Sequence, residues 1–197
     1  MKLSTTSFEH RGAIPEEYAY AHPGSTLSLA ENLNPQLAWE APPPGTRSFA
    51  LLCIDPDVPV RFDDANQHGR VIDAEMPRRD FIHWVMVDIA ADVRELAAGS
   101  CSRASGGKGK TEPPGPPGAI QGINDYGPEH RGYDGPCPPW NDARVHRYFF
   151  RLFALGVQSL GLDRDCTAAD ALRAMQGHVL AETALYGTYT RNPDLKR

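Results

Sequence analysis

Proline and glycine cut this chain into short pieces. There are 18 of each among 197 residues, which leaves little room for long helices. What lies between them is mostly strand-forming. Phe49-Ala50-Leu51-Leu52-Cys53-Ile54 is the longest clean apolar run. It falls within a strand expected over 48–54, after the turn Ala41-Pro42-Pro43-Pro44-Gly45-Thr46, and Pro56 and Pro59 end it. Leu37-Ala38-Trp39 precedes that turn as a shorter strand, and Phe81–Ile89 and Val145–Gly156 are two further strong ones. Segments 60–80, 106–118 and 122–142 read as loops, the middle one holding five glycines and four prolines. One helix is expected, from about Ala168 to Tyr186. Thr167-Ala168-Ala169-Asp170 resembles a capping box, and Leu172, Met175, Val179 and Tyr186 fall near helical spacing. Gly187 supplies the stop, and Gly187–Arg191 reads as a short closing strand. Strands in series with one late helix predict a mainly β fold, a sandwich with a peripheral helix.

The composition, 41% hydrophobic and 23% charged, is that of a folded globular chain. Its length suits a single domain over 1–197. A net charge of −5 argues against a broad nucleic-acid-binding face, though not against a local anion pocket. No stretch approaches the ~20 apolar residues of a membrane span. No apolar run follows Lys2, so no export signal is read. The cysteines Cys53, Cys101, Cys137 and Cys166 form no CxxC. Reduced thiols in the cytoplasm are therefore expected, with a Cys101–Cys137 bridge left open.

Several motifs invite chemistry and fail on their surroundings. Gly109-Lys110-Thr111 ends like a phosphate-binding loop, but Ala104 stands where the first glycine belongs. Glu112-Pro113-Pro114 follows, and it cannot open the helix whose N-terminus such a loop needs. Asp55-Pro56-Asp57 starts like a calcium loop but lacks the turn glycine. Asp55, His83 and His146 are the residue types of a two-histidine, one-carboxylate metal site, at spacings that give it no support. Cys137 with His146 suggests a nucleophile and base, yet Cys137 lies between Pro136 and Pro138 in a stiff loop, not at a helix N-terminus. Two strand histidines remain. By period two, His83 shares a face with Phe81, Val85, Val87 and Ile89, and His146 with Tyr148, Phe150 and Leu152. Their N–H groups suit an anion, with Asp55 to orient and charge them.

In order along the chain, Asp55-Pro56-Asp57-Val58-Pro59, His83-Trp84, Gly135-Pro136-Cys137-Pro138-Pro139 and His146-Arg147-Tyr148 resemble the phosphatidylethanolamine-binding protein family, which includes the Raf kinase inhibitor protein. Gly132-Tyr133-Asp134-Gly135 and Ala174-Met175-Gln176-Gly177-His178 resemble its bacterial branch. The resemblance spans about residues 25–191. It implies a β-sandwich of a large and a small antiparallel sheet with a helix near the C-terminus. It also implies a small-anion pocket for phosphate or a phospholipid headgroup such as phosphorylethanolamine. Carried over residue by residue, the ligand-binding positions are Asp55, His83, Pro138, Pro139, His146 and Tyr148, with Asp57 beside them shaping the loop. No cofactor or metal is implied. The expected protein is a non-enzymatic binder that regulates or inhibits a partner protein, with a homodimer as a reasonable assembly and no membrane insertion. The competing expectation is an enzyme using the Asp55/His83/His146 cluster with metal, or Cys137 as nucleophile. The segment from Asp57 to His83 is longer than in the family's eukaryotic members, and the stretch 106–118 is also an expansion. Two histidine donors predict binding that tightens below about pH 6.5.

Overall fold

The structure is a computed structural model and describes residues 1–102 and 109–195. Strands β1 (Lys2–Ser4), β2 (Leu37–Glu40) and β5 (Glu95–Leu96) form a small antiparallel sheet in the order β1-β2-β5. Strands β3 (Ser48–Pro59), β4 (Arg78–Ala90), β6 (Ile120–Gln121), β7 (His146–Leu155) and β8 (Val179–Tyr189) form a large one in the order β6-β4-β3-β7-β8. All its pairings are antiparallel. Helix α1 (Ala168–Ala174) packs against the large sheet.

The large sheet is buried on both faces, which explains why β3 reads as a continuous apolar run and not as an alternation. Phe49, Leu51 and Cys53 point toward the small sheet, where they join Leu3, Leu37, Trp39 and Leu96. Ala50, Leu52 and Ile54 point the other way, toward Ala168, Ala171 and Met175 around α1. The expected mainly β sandwich with a peripheral helix is what the chain forms.

The helix is shorter than its apolar spacing predicts. The capping box is present: the Asp170 amide donates to Thr167 Oγ1 at 3.3 Å, and the Thr167 amide to Asp170 Oδ2 at 3.0 Å. The helix then ends at Met175, and Gly177 turns the chain with φ +79°. Everything from Val179 to Tyr189 is a strand paired with β7. Val179, Leu180, Thr183, Tyr186 and Tyr189 suit a pleated surface better than a helix, and tertiary pairing wins. Leu172, placed on the apolar face by spacing, is 40% exposed, and Met175 is the buried anchor at 2%. Gly187 is no helix stop. It lies in β8, where a Cβ would press on Ile14 and Phe8.

The alternation expected for β4 also breaks. Cys53 pairs with Trp84, but the next residue, Ile54, pairs with Ile82. His83 is thus the extra residue of a bulge. Ile82, Val85 and Val87 face α1, whereas Trp84 and Met86 face the small sheet. The bulge lets His83 turn to that same side, where its ring meets Tyr148 at 5.1 Å between centroids. It does not share a face with Val85 and Val87. For β7 the expected parity holds: His146, Tyr148, Phe150 and Leu152 are all buried.

Segment 60–77 is loop, as read, and ends where β4 begins at Arg78. Of the 106–118 loop, residues 106–108 lie outside the described residues. All four cysteines are free.

Candidate binding site

At one end of the large sheet, β3, β4 and β7 deliver Asp55, His83, His146 and Tyr148 to one small cavity of about 80 Å³. That is room for about two or three waters, or for the head of a small molecule. Cys137, Pro138 and Pro139 form its wall, and Val58, Phe62, Phe81 and Tyr126 its apolar mouth. The long 58–82 segment therefore contributes Val58 and Phe62 to the rim. Phe62 remains 48% exposed.

The wall is fixed before any ligand arrives. Gly135 packs against the backbone of Tyr18 and Ala19, where a Cβ would collide with the Tyr18 carbonyl oxygen. Its amide donates to Asn32 Oδ1 at 2.7 Å, and its carbonyl accepts from Tyr126 Oη at 2.8 Å. Pro136, Pro138 and Pro139 restrict φ along the rest of the loop. Upstream, Asp134 is fully buried and is served by Asn32, Lys110, Asn124 and His130 at 2.6–3.0 Å. Burial resists the charge of both Asp134 and Lys110. The donors around Asp134 outweigh this and hold its carboxyl below the usual range, whereas Lys110 is left below its ordinary value. The Gly-Lys-Thr sequence thus places its lysine on a buried aspartate.

Asp134 also grips His83. Its amide donates to the His83 carbonyl at 2.9 Å, and its own carbonyl lies 2.7 Å from His83 Nδ1. A carbonyl only accepts, so Nδ1 carries a hydrogen. Burial pulls the His83 pKa below its ordinary value, against the pull of Asp55 and the Asp134 carbonyl. At neutral pH His83 is therefore uncharged. Its Nε2 holds a lone pair and has no hydrogen-bond partner among the described residues.

His146 is the opposite case. Its Nδ1 lies 2.7 Å from Asp55 Oδ2 and its Nε2 lies 3.0 Å from Asp142 Oδ2. Burial opposes its charge, but the two carboxylates outweigh burial and raise its pKa to about 9. Both N–H groups of this imidazolium are spent. Asp142 is completed by a two-pronged ion pair with Arg78, at 2.5 and 3.0 Å. Asp55, His146, Asp142 and Arg78 thus alternate in sign and balance. His146 is not the free donor that the sequence suggests, nor a free base for Cys137. The Cys137 thiol is itself raised by burial, with Arg191 only partly offsetting this.

Tyr148 Oη is buried and makes no hydrogen bond of ordinary geometry, though it interacts weakly with the Asp55 carboxylate. Burial, with Asp55 nearby, pushes its pKa well above the usual value, so it keeps its proton. Asp57 does not line the cavity. It is buried and faces Arg147, which reaches it through Nε at 2.8 Å, Nη2 at 2.9 Å and the backbone amide at 3.0 Å. Burial works against its ionisation, but these bonds prevail and its pKa lies below the ordinary value. Asp57 anchors the strand end next to Asp55, whose Oδ1 accepts from the Asp57 amide at 2.8 Å.

Of the sequence-expected residues, Asp55, His83, Pro138, Pro139, His146 and Tyr148 converge, and Asp57 stands outside. Sequence reasoning did not find Tyr126, Asp142 or the Asp134–Lys110 pair. Asp142 lies only four residues before His146, which is the one local hint it offers. Among the described residues, no set of three His, Cys, Asp or Glu side chains is arranged to hold a metal ion. Larger depressions lie elsewhere, about 660 Å³ between Thr111–Gln121 and Asp163–Arg164, about 920 Å³ between Arg47, Asp88 and Ser159, and about 350 Å³ between Leu162, Cys166 and Arg173. They are more open, and none gathers a cluster of buried ionisable groups.

Known proteins share this chain's pattern over its length. The profile of the family described as "Phosphatidylethanolamine-binding protein" matches residues 4–190. A "UPF0098 protein" of Methanothermobacter thermautotrophicus is 36% identical over 191 residues, covering 97% of this chain and 99% of its own length. One from Aquifex aeolicus is 33% identical, covering 98% of this chain and 90% of its own. Among solved structures, Escherichia coli YbcL, described as a member of the mammalian PEBP family, superposes with a TM-score of 0.72 at 25% identity, covering 96% of this chain and 97% of that one. A putative phosphatidylethanolamine-binding protein homologue from Chlamydia trachomatis gives 0.68 at 28%, covering 95% of each.

Proposed function

This chain belongs to the phosphatidylethanolamine-binding protein family, and from that premise we propose that it is a non-enzymatic binder of a small oxyanion-bearing ligand, a phosphate or phosphorylethanolamine-like head, held in the cavity between Asp55, His83, Tyr148 and the 137–139 wall. The observation that carries this reading is Tyr148 Oη, a buried hydroxyl lining a preformed cavity that makes no hydrogen bond of ordinary geometry and is engaged only weakly by Asp55. Leaving such a group unsatisfied costs about 1–3 kcal/mol. A ligand that accepts from it recovers that cost. The rigid wall lowers the ordering cost of binding.

No helix among the described residues is long and apolar enough to cross a membrane. We place the protein in the cytoplasm, where its four free thiols would stay reduced. Its action on a partner protein would use the loops around the cavity mouth, so that ligand and partner meet at one end of the sheet.

Calorimetric titration with phosphorylethanolamine at pH 6 tests the reading. The wild type should give saturable heat, and Tyr148→Phe, which removes only the hydroxyl, should weaken binding about tenfold, the equivalent of about 1.4 kcal/mol. Absence of heat, or equal binding by the variant, would remove the cavity from the account.

A further inference from the structure

The cavity floor is electrically balanced before any ligand arrives, and this restricts the form in which a ligand can enter. The charges of Asp55 and Asp142 are matched by His146 and Arg78. Arg79 lies outside, over the rings of Phe62 and Phe81 at 5.9 and 6.0 Å from their centroids, and does not line the cavity. No unspent side-chain cation lines the cavity among the described residues.

Two side-chain groups remain for a ligand. Tyr148 Oη offers a hydrogen that Asp55 engages without a hydrogen bond of ordinary geometry, and His83 Nε2 offers a lone pair without a donor. The charged groups facing His83 are Asp55 and His146, which act in opposite directions, with Asp134 behind the ring. The rings of Phe81, Tyr126 and Tyr148 enclose it and carry no charge. A fully ionised oxyanion has only acceptors. It would set lone pairs against Nε2 and against the Asp55 carboxylate, in a largely apolar space where such repulsion is poorly screened. One added proton turns the first of these conflicts into a hydrogen bond.

Building on the ligand-binding reading above, we propose that the cavity takes an oxyacid head together with one proton: the monoanion of a phosphomonoester, or a carboxylic acid. The proton lies between the head and His83 Nε2, and a second head oxygen accepts from Tyr148 Oη. The mouth of Val58, Phe62 and Phe81 then receives the stem that carries the head. His146 stays charged throughout and does not donate to the ligand.

Methyl phosphate and propionate are the probes, one for each source of such a head. At pH 7.5 methyl phosphate is mostly the dianion, with a second pKa near 6, and propionate is ionised, as free carboxyls are. Binding of either must then draw about one proton from the buffer. Calorimetry at pH 7.5 in two buffers of different ionisation enthalpy should therefore give different heats, equivalent to about one proton per site. Affinity should fall about tenfold per pH unit above pH 7. The ¹⁵N signal of His83 Nε2 should be that of an unprotonated nitrogen in the free protein and shift on binding. Whichever probe binds identifies the head. Tyr148-dependent binding with equal heats in both buffers, or binding tighter at pH 8 than at pH 6, overturns the proton proposal and leaves the ligand site standing. If neither probe binds, or Tyr148→Phe binds both unchanged, the site reading falls and the proposal with it.

Discussion

Raising the pH from 6.5 to 9 should unfold this protein more easily, because His146 must lose a proton that the folded state holds tightly. The ring is fully buried between Asp55 and Asp142, and its pKa stands at about 9 against 6.5 for a free histidine. Each pKa unit is 1.36 kcal/mol, so the pair of carboxylates contributes about 3 kcal/mol through this group. The direction follows from linkage. The folded pKa is the higher one, so the stabilisation is complete below pH 6.5 and is lost as pH rises to 9, at about 1.4 kcal/mol per pH unit. The buried thiols of Cys53, Cys101, Cys137 and Cys166 have pKa values raised above 9.0. They begin to lower stability only above that value; the lowered Lys110 pKa works in the opposite sense, so a fall below that value is carried by His146 against Lys110. His83 acts on the other side. Its folded pKa is lowered by burial, so its contribution is complete above pH 6.5 and is lost as pH falls toward the lowered value. Stability should peak near pH 6.5. Urea unfolding at half-unit pH steps measures this, with the His146 ring followed by NMR to assign it. A flat or rising stability between pH 6.5 and 9, or a His146 midpoint near 6.5, would refute the charged arrangement.

The helix anchor is testable by a matched pair: Met175→Ala should cost about 2–5 kcal/mol as a buried truncation, whereas the 40% exposed Leu172 should lose under about 1 kcal/mol on the same change. Equal losses in chemical denaturation would mean that α1 docks on a different face. Lys110→Met breaks a buried ion pair, its partner Asp134 being fully enclosed, and should cost about 3 kcal/mol. A loss below about 1 kcal/mol would show that Asn32, Asn124 and His130 suffice to hold the charge.

The sequence states β7 plainly, because an uninterrupted strand keeps its period and His146, Tyr148, Phe150 and Leu152 need no outside information to share a face; β3 is legible only to Ile54, and the structure carries it through Pro56 to Pro59 across an irregularity between Asp55 and Val58. His83 could not be oriented that way, since a single bulge between Trp84 and Ile82 reverses the alternation. The late helix was overextended for a related reason. Met175, Val179 and Tyr186 fit helical spacing by coincidence, and only the turn at Gly177 and pairing with β7 reveal β8. The site was legible as a set of residue types but not as a set of charge states. Asp142 and Asp134 decide which ring nitrogens are free: Asp142 meets His146 from four residues away but is itself held across the fold by Arg78, and Asp134 meets His83 across the fold and is held by Lys110 and Asn32. Such long-range partners leave no local periodicity to read. Asp57 shows the same limit, because its place beside Asp55 in the chain does not determine which way its carboxylate turns, and Arg147 takes it away from the cavity.

The small cavity at the end of the large sheet is the proposed meeting point of this protein and its ligand. Backbone amide spectra of ¹⁵N-labelled protein, titrated with phosphorylethanolamine at pH 6, locate the contact directly. Saturable shifts should concentrate at Asp55, His83, Tyr126, Cys137 and Tyr148. Shifts confined to the open depression between Thr111 and Arg164, or an unchanged spectrum at saturating ligand, would contradict it.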